Sequence, residues 1–374
     1  MKKIILYIFS VLILASCSDF LGEDPKGKLT PGNYATLTDL DQATIALYPL
    51  MNTMFNEVEC YSPLFGGDDI TAPNAGNKLP FLEFCVFNPT SFNTRYKKMW
   101  VNGYATIKAA NAVIQNYEGV DETDEIKKNW AGQAFFVRAL AYYFIVRIWG
   151  DIPLVTTLDV DVNMIKSPPA EIYDLIVSDL ETAEKFLPGS WNKYSKDFPE
   201  KIGVCPTSGS AKALLASVYL TMTGWPLKQT ENYTKAADKA KEVIDGAKNG
   251  IYPYKLLTDC AELWKPENQF NDETVFGAFF NLDAPETHWG NSNMLGPTAG
   301  MPSDEGGWND YMGEITFFNN FPAGLRKDAT YQTEIYVGGD TIDWTEGVEG
   351  HPYIKKYTVS EDYDTLTHTS ITTI

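Results

Sequence analysis

The chain has 374 residues, of which 44% are hydrophobic and 13% aromatic, so it can bury a sizeable core and is not a disordered polypeptide. Its 30 basic and 49 acidic residues give a formal net charge of −19 at pH 7, a field that repels phosphate backbones and anionic lipid. Nucleic acid is therefore excluded as a partner, whereas a neutral ligand such as a sugar is compatible with this charge. A solvated acidic surface without any ligand explains the charge equally well.

The first 16 residues have the layout of an export signal. Two lysines precede the apolar run at residues 4–14, which is followed by small residues. The run is shorter than the about 20 residues that span a bilayer, so we predict that residues 1–16 are a signal peptide and are removed. Cys17 stands at the expected cut in the segment LASC, which resembles the lipobox of bacterial lipoproteins. We predict Cys17 as the lipidation site, and the acidic residues after it resemble a surface-export signal.

The four other cysteines carry no recognisable chemistry. Disulfides are permitted in an exported chain, but the spacing of Cys60, Cys85, Cys205 and Cys260 selects no pairing. No two of them have the CxxC spacing of a metal or redox site. Their disulfide state is left open, and we predict no metal or cofactor.

Apolar periodicity predicts a series of helices. Apolar side chains recur at steps of three and four residues in segments 40–55, 100–114, 134–148, 172–183, 213–220 and 236–247. Gly150 and Pro153 end the third helix, and Ser167 is predicted to cap the fourth, with Pro168 in its first turn. The same helical patterns indicate core packing for Trp100, Trp130, Trp149 and Arg138.

The last two predicted helices form a pair with small residues at the contact. Their predicted contact faces are Ala213, Ala216 and Leu220 in one helix, and Ala236, Ala240, Val243 and Ala247 in the other. Such a pair is the unit of tetratricopeptide-type solenoids. The predicted fold class is therefore all-α, mainly, a tetratricopeptide-like helical repeat (α-α superhelix) with long irregular loops and a little strand. The segment ETVFGAFF at 273–280 is the predicted strand.

Two irregular segments are candidates for a binding site. One lies at 61–84, and the other at 283–313 has many glycines and no period; a structureless loop of that length is usually functional. A pyranose ring packs its C–H face on an aromatic ring, and its hydroxyls bind amides and carboxylates. The predicted ligand-binding residues are Trp289, Trp308, Tyr311, Asp68, Asp69 and Asn74, with Tyr61, Asn291, Asn293 and Asn309 near them.

No catalytic constellation is recognisable. The three histidines, His288, His351 and His368, have no nucleophile-elbow motif near them. The segment at 159–163 lacks the glycine and the glutamate of a calcium loop, and no phosphate-cradling glycine motif is present. We therefore predict that the chain is not an enzyme. A glycosidase pair among the 49 acidic residues is not excluded by the sequence.

Several signatures in one order resemble the SusD/RagB-like outer-membrane lipoproteins of Bacteroidetes. The matching segments are SCSDFLGEDP, WVNGYATIKAANAVI, AFFVRALAYYFIVRIWGDIPLV, SPPAEIYDLIVSDLETAEKFLP, GSAKALLASVYLTMTG, NDETVFGAFF, and FPAGLRKDATYQT followed by YIKKY. They cover most of residues 15–358. The resemblance divides the mature chain, 17–374, into an N-terminal SusD-like part at about 30–200 and an incomplete C-terminal SusD/RagB part at about 205–374. Family members usually continue into a further helix, so either the gene is truncated or the product lacks that element.

The resemblance implies a function in nutrient uptake. The chain is expected to be lipid-anchored in the outer membrane, to face the cell exterior, and to bind glycans or other nutrients. It would deliver them to a SusC-like TonB-dependent transporter. Two alternatives stay open: a surface glycoside hydrolase, and a ligand-free scaffold that binds only its transporter.

Overall fold

A computed structural model of the chain describes residues 34–56, 65–159, 161, 163–191, 203–264, 268, 271–278 and 309–355. Within these ranges the chain is mainly helical, which confirms the predicted fold class. The α-helices are α1 (Leu37–Ile45), α2 (Leu47–Asn56), α3 (Leu79–Cys85), α4 (Arg95–Asn116), α5 (Asp124–Trp149), α6 (Pro169–Phe186), α7 (Ser208–Met222), α8 (Asn232–Lys248), α9 (Ile315–Asn320) and α10 (Leu325–Thr330). None of these helices is long and apolar enough to cross a bilayer.

The strands are short and pair two by two. They are β1 (Ile70–Thr71), β2 (Met312–Gly313), β3 (Tyr331–Gln332), β4 (Glu334–Val337), β5 (Asp340–Asp343) and β6 (Tyr353–Ile354). All three pairs, β1 with β2, β3 with β6 and β4 with β5, are antiparallel. The pairs β1–β2 and β3–β6 join distant parts of the chain, whereas β4–β5 is a local hairpin.

Helix α5 is the central element of the fold. Thr123 caps its N-terminus by accepting a hydrogen bond from the Ile126 N–H at 3.5 Å. Acidic residues occupy its first turn and Arg147 its last turn, as the helix dipole favours. Gly150 ends the helix with φ at +67°, a conformation that glycine adopts without a steric penalty.

The main core lies between consecutive helices. From α4 to α8, each helix packs against the next along the chain, and α2 packs on α4. This neighbour-to-neighbour packing is typical of a helical repeat. Small side chains allow close approach: a Cβ at Gly103 of α4 would lie 2.5 Å from the Ile145 side chain of α5. The core predictions for the three tryptophans hold, since Trp100 and Trp149 pack edge to face at 5.2 Å and Trp130 packs on Trp191.

Arg138 is the charged centre of this core. Its guanidinium donates to both carboxylate oxygens of Asp179 on α6 at 2.7 Å, and to the Asn111 Oδ1 on α4 at 2.8 Å. Asn111 in turn donates to the carbonyl of Val155 at 3.1 Å, and the Tyr142 hydroxyl bonds the same residue. Three helices and the loop after α5 therefore share one buried polar network. Burial raises the pKa of Asp179, and the Arg138 guanidinium opposes that shift.

Three local predictions differ from the structure. Ser167 does not cap α6, because Pro168 is the N-cap and the Ser167 backbone instead pairs with Ile152. Residues 273–278 are not a strand. They make isolated contacts instead: the Val275 carbonyl accepts from the Ser210 hydroxyl at 2.9 Å, and the Phe276 ring packs on the Phe136 ring of α5.

The predicted contact face of α7 is also wrong. Leu220 is 54% exposed, and the buried face is formed by Ala211, Leu215, Val218, Tyr219 and Met222. On α8, Ala236 is buried but Ala240 is exposed. In α7, the small residues of the predicted face and the larger residues of the buried face both recur at a helical period. The period alone therefore does not identify the face that fills the core.

Four charged side chains connect α6, α7 and α8. Lys239 lies 2.8 Å from Glu184, and Lys212 lies 2.6 Å from Glu242 and 3.6 Å from Glu184. All four charged groups are partly exposed, so their mutual attraction is screened by solvent and salt. We expect Glu184→Gln to lower the free energy of unfolding by about 1 kcal/mol at low salt and by less at high salt.

Urea unfolding in low and high NaCl measures this effect. Asp245→Asn, which removes the exposed α8 pair with Lys241, is the control and should change stability by less than about 0.5 kcal/mol. An equal effect of the two variants would contradict a network between the three helices.

Candidate loop junction

Two segments that are far apart in sequence meet at one edge of the helical core. Strand β1 pairs with β2 so that Ile70 opposes Gly313 and Thr71 opposes Met312. The Glu314 N–H extends this contact by donating to the Asp69 carbonyl at 3.0 Å. We call this site, formed by residues 65–78 and 309–314, the loop junction. It joins the described parts of the two irregular segments that the sequence marked as candidates.

A layer of buried aromatic rings stabilises the loop junction. Phe65 is fully buried, stacks on Phe81 of α3 at 4.8 Å, and meets the Tyr311 ring edge to face at 5.8 Å. Tyr331 of β3 belongs to the same cluster and is 5% exposed. Aromatic pairs of this kind contribute beyond their buried area, so the layer holds the two segments at a fixed position.

A buried ion pair locks the two segments together. The Lys78 ammonium binds the Asp310 carboxylate, and the two side chains are 10% and 7% exposed. The partners are 232 residues apart in sequence. Because both charges are largely withdrawn from water, breaking this pair by removing one partner would be strongly destabilising.

The exposed surface of the junction is acidic and polar. Asp68, Asp69 and Asn74 are all exposed, so their side chains are available to hydroxyl groups of a ligand. Burial raises the pKa of Tyr331, and the negative charges of Asp69 and Glu314 add to this shift. The phenol of Tyr331 therefore stays neutral at physiological pH and lies near these two carboxylates.

Tyr311 differs from the other predicted site residues. Its side chain is 6% exposed and packed on Phe65, so its ring supports the loop and does not present a face to solvent. Trp289 and Trp308 lie outside the described residues, and so do Tyr61, Asn291, Asn293, His288 and Cys17. Their assignments remain predictions.

Asn309 braces the junction rather than lining an open surface. It is 7% exposed, has φ at +49°, and donates from its Nδ2 to Glu349 at 2.7 Å. The left-handed backbone is one that asparagine tolerates better than most residues. Sequence reasoning missed Lys78, Asp310 and Tyr331. Lys78 and Asp310 lie in two separate irregular segments, and nothing in the sequence of either segment indicates that these side chains form an ion pair.

The described residues contain no group of three metal-ligating side chains from histidine, cysteine, aspartate and glutamate. Cys85, Cys205 and Cys260 are free thiols. The junction itself offers hydrogen-bond acceptors on a rigid, partly aromatic support. This arrangement suits the binding of a hydroxyl-rich ligand.

The described residues form a helical-repeat protein with a candidate binding surface built from two loops. Comparison with solved structures agrees with this fold. A structure described as a laminarin-binding SusD-like protein superposes with a TM-score of 0.68 at 22% identity, covering 89% of this chain and 74% of that one. A SusD homolog from Bacteroides thetaiotaomicron superposes with a TM-score of 0.71 at 20% identity, covering 87% and 64%.

Sequence comparison gives the family. Residues 19–220 match a SusD-like family described as "Starch-binding associating with outer membrane", and residues 1–18 match a prokaryotic membrane lipoprotein lipid attachment site. SusD-like protein P2 of Formosa agariphila is 30% identical over 344 residues, which cover 89% of this chain and 59% of the relative. The chain belongs to the SusD-like family, as the resemblance predicted. It spans about three fifths of the length of this curated relative.

Proposed function

We propose that this chain is a glycan-capture lipoprotein of the outer membrane surface. Residues 1–16 are removed, Cys17 carries the lipid anchor, and the domain at 17–374 faces the cell exterior. The loop junction binds a glycan and delivers it to a SusC-like TonB-dependent transporter.

The observation that carries this proposal is the construction of the loop junction. A buried ion pair, a two-residue strand pair and an aromatic layer fix two distant loops, yet Asp68, Asp69 and Asn74 remain exposed on top. Rigid support for exposed polar groups lowers the entropy lost on binding. Packing alone would not require acidic groups at this position.

The charge of the chain favours a neutral glycan. A net charge of −19 repels polysaccharides that carry carboxylates or sulfates, whereas it has little effect on an uncharged sugar. The laminarin-binding neighbour supports the same ligand class. The family match and the lipid attachment site support the lipid anchor in the outer membrane, and the transporter as partner rests on the family resemblance.

We expect the combined substitution of Asp68→Asn, Asp69→Asn and Asn74→Ala to weaken glycan binding about tenfold or more, because each lost hydrogen bond costs about 1 kcal/mol. The melting temperature should change little, since all three side chains are exposed. Isothermal titration calorimetry with neutral oligosaccharides, laminari- and xylogluco-oligosaccharides among them, measures the affinity.

Asp238→Asn is the matched control, because Asp238 is an exposed acid of α8 far along the chain from the junction. It should leave the affinity unchanged. If the junction variant binds every glycan as tightly as the unmodified chain, the loop junction is not the capture site. A reducing-end assay in the same samples tests the hydrolase alternative, and we expect no release of reducing ends.

A further inference from the structure

A cavity of about 270 Å³ lies next to the loop junction and is separate from its exposed acids. Tyr331 connects the two places: it lines the cavity and also packs in the aromatic layer with Phe65 and Tyr311. The walls come from α9, α10, β3, β4 and the residue after β6. A space of this size is close to the lower end of the range for small-molecule sites and holds a single ring.

The apolar wall of the cavity is fixed by several contacts. Lys327 donates to the Phe318 carbonyl at 2.6 Å, and its ammonium lies 4.1 Å above the Phe318 ring. The same ring meets Tyr331 edge to face at 5.0 Å and Trp344 at 5.6 Å. Phe318 therefore cannot swing into the cavity without breaking three ring contacts.

The remaining wall is formed by polar residues of several types and by a tyrosine. Gln332, whose Nε2 donates to the Glu334 carbonyl at 3.0 Å, lines the cavity together with Thr333 and Tyr336. Hydroxyl, amide and carboxylate groups beside aromatic rings match the hydroxyl groups and the C–H face of a pyranose.

The charges around the cavity balance. Two lysines, Lys327 and Lys355, are matched by two acids, Asp328 and Glu334. Lys327 already donates to the carbonyl of Phe318 in α9 and to that of Phe321 directly after it. An anionic or cationic ligand would therefore meet a repulsive charge beside each attractive one. A neutral polyol can form hydrogen bonds to both kinds of group.

We propose that this cavity is a second sugar site, which takes one uncharged pyranose residue. Its position rests on the cavity alone, while the ligand class rests on the proposed function. The Tyr336 ring packs on the C–H face of the sugar, and Glu334, Thr333 and Gln332 bind its hydroxyls. The site would hold a terminal residue of a glycan near the loop junction.

Saturation-transfer NMR on the full chain tests this proposal with single-residue probes. The probes are the methyl glycosides of glucose, galactose, mannose and xylose, and the charged controls are glucuronic acid and glucosamine. We expect at least one neutral glycoside to bind at a concentration of about 10 mM or below, and Tyr336→Ala to weaken it about tenfold.

Two further variants keep the test decisive. Glu334→Gln changes an exposed side chain, so it leaves the fold intact even if Tyr336→Ala does not, and it should also weaken the glycoside. Asp238→Asn on α8, at an exposed residue outside both the cavity and the loop junction, should leave glycoside binding unchanged. Binding that is lost in the two cavity variants and kept in Asp238→Asn supports the site.

The opposite results overturn it. The proposal fails if no neutral glycoside binds, if the signal persists in both cavity variants, or if the charged sugars bind equally well. Oligosaccharide binding that depends on Asp68, Asp69 and Asn74 but not on Tyr336 or Glu334 would leave the proposed function intact and refute only this second site. If glycosides bind in the cavity but oligosaccharide binding does not depend on the loop junction, the second site stands and the junction is refuted as the capture site.

Discussion

Replacing Arg138 by methionine should lower the free energy of unfolding by about 3–5 kcal/mol, because it leaves the Asp179 carboxylate buried without its partner. The Asp179 side chain is 3% exposed and both its oxygens are bound by Arg138. The substitution also removes the donor to Asn111, so the link between α4, α5 and the loop after α5 is weakened. Urea unfolding followed by circular dichroism measures the change.

A second variant separates the charge from the packing. In Arg138→Met with Asp179→Leu, both charges are gone, and much of the lost stability should return. Arg326→Met is the matched control, because Arg326 is exposed and its replacement should change stability by less than about 0.5 kcal/mol. If Arg138→Met has no larger effect than the control, the buried network does not hold the helices together.

Replacing Lys78 by methionine should have the second large effect. It removes the buried ammonium that binds the Asp310 carboxylate, and breaking a buried ion pair costs about 3–5 kcal/mol when the site stays closed. If the two loops separate, water reaches the carboxylate and the loss of stability is smaller, but the loop junction is then open. In either case we expect glycan affinity to fall at least tenfold, since the exposed acids lose their fixed support.

Thermal unfolding and calorimetric titration of the same samples measure both parts of this prediction. Lys166→Met is the control, because Lys166 is an exposed lysine and should affect neither stability nor affinity. Unchanged stability together with unchanged glycan affinity in Lys78→Met would show that the ion pair does not hold the junction.

Much of the helical architecture could be predicted from the sequence. Helix α5 has a capping threonine, acids in its first turn and a glycine after its last residue, and each signal acts within a few residues. The wrong predictions arose where tertiary contacts decide. The apolar run at 273–280 suggested a strand, but Phe276 is instead used to cover α5. The face of α7 was misassigned because alanines fit several helical faces.

The candidate site was predicted only in part. The irregular composition of two segments marked the regions, and the structure brings their described residues together. No sequence pattern could reveal that Lys78 pairs with Asp310, since the partners are 232 residues apart and a buried ion pair has no periodic signature. The same limit explains Tyr311, where composition suggests an exposed ring and packing on Phe65 buries it.

The central claim is that the loop junction captures a neutral glycan. Calorimetric titration of the purified chain against neutral and acidic oligosaccharides tests it most directly. The account predicts saturable heat with at least one neutral oligosaccharide, and weaker or no heat with acidic ones. Absence of heat with every neutral oligosaccharide, from a sample that unfolds cooperatively, would contradict it.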